Sequence, residues 1–277
     1  MTRALLLKVG GELVEESEHL ATVVAAVAAV SAGGSGLVVV HGGGREIDRA
    51  LERAGIGKRQ VDGLRITDEP TLAVVLSVLA GVVNPRFVAA LNAAGVPAVG
   101  LTGADGCCVP AKPAPPHRAA DGQLVDLERV GVPDAASDVR LIETLLSAGF
   151  VPVLASIGID RSGQLLNVNA DTLAGALAAR LGVRRLVIAG TTPGVLSPGG
   201  WTLERLDVAG IGALIEEKTA TAGMIAKLRA CEHALAHGVG DVLIVDGRDR
   251  SALVGAARGE ASARTTKIQR KDVTVST

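Results

Sequence analysis

The chain of 277 residues is 48% hydrophobic and 21% charged, a balance that supplies a full core and excludes a disordered segment. Its 28 basic and 29 acidic residues leave a net charge of −1 with no basic stripe, which argues against a nucleic-acid binder. Three cysteines, Cys107, Cys108 and Cys231, show no C-x-x-C spacing, so neither a disulfide frame nor a zinc site is expected, and free thiols suit a reducing compartment.

Aromatic residues make up 1% with no Tyr, so Val, Leu, Ile and Ala must build the core. The length fits one large domain or two lobes. The longest apolar stretches, LATVVAAVAAVSA (20–32) and LAVVLSVLAGVV (72–83), fall short of the roughly 20 residues of a membrane span. The opening MTRALLLKVGGELVEE lacks a small-residue cleavage pattern, so a cytoplasmic protein is expected.

In chain order, ALLLKV (4–9) is the continuous apolar run of a strand buried on both faces. Residues 18–32 read as an Ala-rich helix stopped by GGSG, LVVV (37–40) as a second strand, and REIDRALERAG (45–55) as a helix closed by Gly55. A long helical stretch (68–95), bent near Pro85, precedes a strand at 96–101. The Gly-, Pro- and Asp-rich stretch 103–135 reads as hairpins and loops. Then come a helix (139–149), a strand (151–156) and the helix NADTLAGALAARLG (169–182), entered through Asn169 or Asp171. RRLVIAG (184–190) is a strand, 203–216 and 223–238 are helical, DVLIVDG (241–247) is a strand, SALVGAARG (251–259) a helix and TTKIQ (265–269) an edge strand. This alternation predicts an α/β protein with a largely parallel sheet and a soft boundary near residue 182, dividing 1–182 from 183–277.

Ligands of open α/β sheets bind at the carboxyl ends of strands. KVGGE (8–12) and HGGGR (41–45) lie there, each a glycine turn at a strand end. Bare backbone N–H groups at a helix start form an anion site, and Lys8 between two such turns completes a phosphate pocket. Either turn alone reads equally well as an ordinary glycine-rich connection. Neither is G-x-G-x-x-G or G-x-x-x-x-G-K-[ST], which disfavours a dinucleotide fold or a P-loop. His41 reads as a structural histidine. Arg65 in GLRITD offers a planar fork for a carboxylate, or a surface ion pair. Asn167, Asn169 and Asp171 alternate along an extended entry into a helix and can point one way, although Asp171 also suits a capping role. Lys227 in TAGMIAKL stands one helical turn after Gly223. Together these groups point to phosphoryl transfer onto an anionic substrate. No metal-ligand cluster is apparent, so Mg2+ is expected to arrive with the nucleotide.

In this order, KVGG, VVVHGGG, GLRITD, GVVNPRFVAAL, GLTGADG, GFVPVLASIGID, GQLLNVNADTLAGALA, GMIAKL and DVLIVDGR resemble the amino acid kinase family over nearly the whole chain. The resemblance implies a three-layer αβα sandwich with a mainly parallel central sheet, residues 1–182 binding the amino-acid substrate and forming a dimer, and residues 183–277 binding nucleotide. It implies transfer of the ATP γ-phosphate to the side-chain carboxylate of N-acetyl-L-glutamate, with Mg2+ carried by the ATP. Lys8 and Lys227 would stabilise the migrating phosphoryl group, and Asp171 would hold the two lysines. Gly10, Gly11, Gly43 and Gly44 would present N–H groups to the phosphates, with Gly43 and Gly44 also lining the substrate. Arg65 would pair with the substrate α-carboxylate, and Asn167 would bind the same moiety with Asn169 nearby.

Three segments depart from the family pattern, all on the nucleotide side: Thr191 where the family has an Asp, GEASARTTKI where it has a Gly-Thr pair, and TAG before Met224 where it has Gly-Gly. Only seven residues precede Lys8, so the arginine-insensitive homodimeric type is expected. A sister kinase acting on a carrier-bound aminoadipate or glutamate, and a non-catalytic amino-acid sensor, remain alternatives.

Overall fold

The apolar run Leu5–Val9 forms strand β1, and all its residues are buried, as expected of a strand with helices on both faces. The computed structural model describes residues 4–119, 121–134, 138–216 and 222–270. A short helix α1 (Gly11–Glu15), helix α2 (Ser17–Ser31), strand β2 (Leu37–His41) and helix α3 (Gly44–Arg53) follow. A small hairpin, β3 (Gln60–Val61) and β4 (Leu64–Arg65), leads into a continuous helical segment. That segment comprises α4 (Glu69–Val78), a π-helical turn (Leu79–Val83) and α5 (Asn84–Ala93). The irregularity expected near Pro85 is this wide turn, which spares the proline ring a clash with the preceding carbonyls. At 25 residues, Glu69–Ala93 is long and apolar enough to cross a membrane by length and composition, longer than its apolar run implied. Here Leu72, Val75, Leu79, Val83, Phe87 and Leu91 are buried in the fold.

Strand β5 (Ala98–Leu101) precedes the hairpin-rich stretch, with β6 (Ala111–Pro113), β7 (His117–Arg118), β8 (Leu124–Val125) and β9 (Val130–Pro133). Residues 120 and 135 of that stretch lie outside the described residues. Helix α6 (Arg140–Ser147), strands β10 (Val151–Ala155), β11 (Ile157–Ile159) and β12 (Leu165–Val168), and helix α7 (Ala170–Arg180) come next. The last part holds β13 (Arg185–Gly190), β14 (Arg205–Asp207), α8 (Val208–Glu216), α9 (Ala222–Ala236), β15 (Asp241–Asp246), α10 (Arg250–Arg258) and β16 (Thr265–Gln269).

One eight-stranded sheet runs β14-β16-β15-β13-β1-β2-β10-β5, parallel except where β16 meets β15. Leu5, Leu7 and Val9 join the core on one face, Leu6 that on the other. Residues of α1–α5 and α10 fill the first core and those of α6–α9 the second, which makes the αβα sandwich. Strands from before and after residue 182 occupy opposite halves of the sheet, meeting where β1 pairs with β13. Both cores draw on both halves, so that boundary runs between neighbouring strands and not between separate cores.

Two expectations are corrected at the far end of the sheet. TTKIQ is second from the edge, and the edge is β14, from a stretch expected to be wholly helical. Residues 205–207 extend because their backbone pairs with β16, a contact some 60 residues away that local composition does not reveal.

His41 is fully buried and structural. Its Nδ1 sits 3.1 Å from Gly42 O, so this nitrogen carries the proton, and Nε2 accepts from Asn84 Nδ2 at 3.0 Å. The Asn84 amide also donates to Val153 O at 2.9 Å, which explains an asparagine buried in an apolar helix. Burial holds the His41 pKa down to about 4, against the opposing hydrogen bond to Gly42. The unfolded chain therefore takes up a proton near pH 6.5 that the folded chain takes up only near pH 4. Stability contributed by neutral His41 is complete above pH 6.5 and is lost on acidification toward pH 4, by on the order of 3 kcal/mol. Urea midpoints across this range fall for the wild type, and His41→Gln removes most of that slope.

Candidate active site

The site is built at the carboxyl rim of three adjacent strands. Val9 lies level with His41 on one side and Ala189 on the other. The next residue of each strand is a glycine, Gly10, Gly42 and Gly190, so no side chain rises from the rim there. The two glycine turns touch. A Cβ on Gly11 would stand 2.8 Å from the Cα and N of Gly43 and 3.0 Å from the N of Gly44. On Gly44 a Cβ would meet nothing within 4 Å.

Gly11 and Gly44 are the first residues of α1 and α3, and neither N-cap glycine supplies a capping side chain, although Glu15 Oε1 accepts from the Glu46 N–H in the first turn of α3 at 3.1 Å. First-turn N–H groups have no intrahelical acceptor and face outward. Gly10 differs from expectation, because its N–H is donated to Ala189 O at 2.9 Å. What Gly10 supplies is a bare Cα, over which the Glu12 carboxylate lies.

The lysines and the aspartate converge beside this rim. Asn169 is the N-cap of α7, its Oδ1 accepting from Asp171 N at 2.9 Å and Thr172 N at 3.0 Å. The Asp171 carboxylate is thereby released from capping. Lys8 Nζ lies 2.9 Å from Asp171 Oδ1, and Lys227 Nζ 3.9 Å from Oδ2. Lys8 and Asp171 are buried, and the Lys227 side chain is 18% exposed. Burial, reinforced by Lys8, holds the Lys227 pKa below its ordinary value, while Asp171 and Glu12 oppose that shift. Two ammonium groups on the Asp171 carboxylate, with Glu12 acting on Lys227 from farther off, concentrate positive charge at a largely buried site, a setting suited to an anion. Thr221, of the segment before Met224, lies outside the described residues.

Arg65 reaches the same turn from the β3–β4 hairpin. Its Nη2 donates to Asp48 Oδ1 at 2.5 Å and to Gly44 O at 3.4 Å, and the side chain is 10% exposed. Its Nη1 is buried without a hydrogen-bond partner. An orphaned guanidinium nitrogen costs about 1–3 kcal/mol, so the open half of the fork is poised for an acceptor. Asn167, on β12, donates from Nδ2 to Thr67 Oγ1 at 3.0 Å, and the Thr67 hydroxyl donates to Arg65 O at 3.2 Å. Arg65 and Asn167 are thus coupled through one buried threonine. Asn169 keeps only its amide nitrogen for a ligand, since its oxygen is spent on the cap.

The remaining features are structural. Burial pushes the Cys108 thiol up to about 12 and the Cys231 thiol higher still, so both are inert; Cys107 is exposed. Thr191 follows Gly190 directly, and Thr266 in the altered C-terminal segment accepts from Val195 N at 2.8 Å, pinning the loop after β13. A cleft of about 370 Å³ between α7 and α9, lined by Arg180, Arg229, His233 and His237, holds none of the groups above.

Sequence reading missed Asp48, Thr67, Gly190 and Glu12. Asp48 was findable, because it lies one helical turn from Gly44 and so shares its face. Thr67 and Gly190 acquire meaning only when distant strands are brought level.

A model of the amino acid kinase family matches residues 3–246. The acetylglutamate kinase of Novosphingobium aromaticivorans is 39% identical, covering 91% of this chain and 86% of that one. The acetylglutamate kinase of Geobacillus kaustophilus is 38% identical, covering 90% and 92%. Among solved structures, N-acetylglutamate synthase from Neisseria gonorrhoeae, complexed with coenzyme A and N-acetyl-glutamate, superposes with a TM-score of 0.81 at 28% identity, covering 97% of this chain and 60% of that one. Carbamate kinase from Giardia lamblia bound to AMP-PNP has the same fold, at a TM-score of 0.68 and 16% identity, covering 98% and 99%.

Proposed function

Because the chain belongs to the amino acid kinase family, we propose that it transfers the γ-phosphate of ATP to the side-chain carboxylate of N-acetyl-L-glutamate, giving N-acetylglutamyl 5-phosphate in arginine biosynthesis. The observation that carries this reading is the Lys8–Asp171–Lys227 cluster, with Lys8 and Asp171 buried and Lys227 partly exposed, beside the contact of the two glycine turns. A carboxylate oxygen attacks the γ-phosphorus, the bond to the β,γ-bridging oxygen breaks, and ADP leaves. The nucleophile is already ionised at neutral pH and needs no base. The difficulty is bringing an anion to a polyanion.

Lys8 and Lys227 offset that repulsion on the phosphoryl group in flight, and Asp171 keeps their ammonium groups apart yet aimed together. The N–H groups of Gly11 and Gly44 add fixed dipoles, the bare Cα of Gly11 lets the turns approach, and that of Gly43 lets its turn lie on Leu79 and Val83. The free half of Arg65 takes the substrate α-carboxylate, and Asn167, fixed by Thr67, binds beside it. Mg2+ accompanying ATP would neutralise part of the phosphate charge. The described residues hold no group of three or more His, Cys, Asp or Glu side chains suited to a metal, so its ligands would be mainly phosphate oxygens and water.

Residues 1–182 carry the acceptor-binding groups and residues 183–277 carry Lys227 and the rim at Gly190, which supports assigning acceptor and nucleotide to those two halves. Homodimerisation through the helical segment Glu69–Ala93 is favoured by its outward residues Ala73, Gly81, Val82 and Ala89, and light scattering tests it.

Glycine substitutions separate function from folding. Gly44→Ala adds a methyl group in open space, so stability holds while the KM for ATP or acetylglutamate rises about tenfold or more. Gly11→Ala drives a methyl into the Gly43 backbone and costs about 1–3 kcal/mol of stability as well. Thermal melts and steady-state kinetics on both variants check this. The reading itself is tested by incubating the protein with Mg-ATP and N-acetylglutamate, glutamate or aminoadipate, and trapping acyl phosphate as hydroxamate. Product with N-acetylglutamate alone is expected. Product with aminoadipate alone would identify the sister kinase. Thermal stabilisation by an acceptor without any product would identify a sensor.

A further inference from the structure

We propose that the Glu12 carboxylate is this chain's own ligand for the Mg2+ that accompanies the nucleotide, an inference that rests on the kinase reading above. Glu12 is the second residue of α1, so its backbone is fixed by the contact of that helix with the Gly43 turn. Its carboxylate lies over the bare Gly10, where a Cβ would stand 2.6 Å from Oε1 and 2.7 Å from Oε2. It also faces the end of β13, where a Cβ on Gly190 would stand 3.6 Å from Glu12 Oε1 and 3.7 Å from Lys227 Cε. Glu12 therefore occupies the seam between the two glycine-ended strands, beside Lys227. Among the described residues this carboxylate makes no hydrogen bond or ion pair, and Lys227 acts on it only across a longer gap.

A carboxylate without a hydrogen-bond or ion-pair partner among the described residues is, at that seam, a liability for a site that takes a polyphosphate, since like charges at this range repel strongly in a poorly hydrated pocket. The liability reverses once a hard dication stands between the two anions. Mg2+ typically takes one or two protein carboxylates and completes its shell with phosphate oxygens and water. One half-buried carboxylate held on helix α1 meets that need. The uncharged Thr191 next to Gly190 offers no competing carboxylate.

The test is calorimetric titration of ADP into the intact protein, with Mg2+ and with a chelator, for the wild type, Glu12→Gln and Glu12→Asp. A crossed result is expected. In the wild type Mg2+ tightens ADP binding about tenfold or more, while in Glu12→Gln the enhancement falls below about threefold and metal-free ADP binds severalfold more tightly. Glu12→Asp keeps the charge and retains part of the Mg2+ enhancement. Thermal melts of the unliganded variants, expected to match the wild type, exclude a folding effect. Full Mg2+ enhancement in Glu12→Gln would overturn the proposal and show Glu12 to be a mere counter-charge for Lys227. Weakened or unchanged metal-free binding in that variant would overturn it too. Failure of the wild type to bind ADP under either condition would instead remove the kinase reading, and this inference with it.

Discussion

Lys227→Ala lowers kcat by about 10²–10⁴-fold with little change in thermal stability, and Lys8→Ala lowers it at least as far while also destabilising the fold. The difference follows from burial. Lys227 keeps an 18% exposed side chain and stands 3.9 Å from Asp171, so its loss disturbs the ground state little. Lys8 is buried and contacts Asp171 at 2.9 Å, so its loss strands a carboxylate that is itself almost dry. Breaking a buried pair by removing one partner costs about 3–5 kcal/mol, and Lys227 at its longer distance recovers only part of that. The kinetic loss should fall on kcat, because charge on the migrating group develops during transfer. Steady-state kinetics paired with thermal melts read both quantities. A fully active Lys227→Ala enzyme would remove the catalytic role assigned here.

Arg65→Lys raises the KM for N-acetylglutamate by about 100-fold and leaves the KM for ATP within about threefold. Arg65 is held on one side by Asp48 and the Gly44 carbonyl, which orient the guanidinium and leave Nη1 open. Lysine supplies the charge without the fork, so it can satisfy Asp48 or the substrate but not both in one geometry. Stability should change little, because Asp48 keeps Lys58 at 2.6 Å. Asp48 itself shows how strongly this corner favours the ion: burial pushes its pKa up, yet hydrogen bonds from Lys58 and Arg65 hold it below the ordinary carboxylate range. Varying each substrate in turn at saturation with the other separates the two KM values. An equal rise in both would place Arg65 in a structural role.

The central strands were readable because a strand buried on both faces must be a short continuous apolar run, and Leu5–Val9, Leu37–His41 and Asp241–Asp246 largely meet that demand. Two glycine turns at adjacent strand ends were readable for the same reason, and their contact follows from β1 and β2 being neighbours. The sheet margin was not readable. Residues 205–207 carry no intrinsic strand signal and extend because β16 offers them a partner.

Competition between near-equivalent groups was likewise undecidable from spacing. Asn169 and Asp171 are both good caps two residues apart, and only the true helix start shows that Asn169 takes the work and frees Asp171 for the lysines. Gly10 carried the right residue type, but its N–H was already claimed by Ala189 across the sheet. Glu12 sat in plain view within KVGGE, and its meaning depends on Gly190, which lies 178 positions away in sequence.

Comparing the affinity of MgADP alone with that of MgADP plus tetrafluoroaluminate and N-acetylglutamate, in the wild type and in Lys227→Ala, isolates the phosphoryl group in flight. The planar fluoride stands in for that group. If the lysine pair acts on it, Lys227→Ala weakens the assembled complex by about 100-fold or more and MgADP alone by less than about threefold. Equal weakening of the two, or none in either, would show that the cluster merely shapes the pocket and that transfer is driven elsewhere.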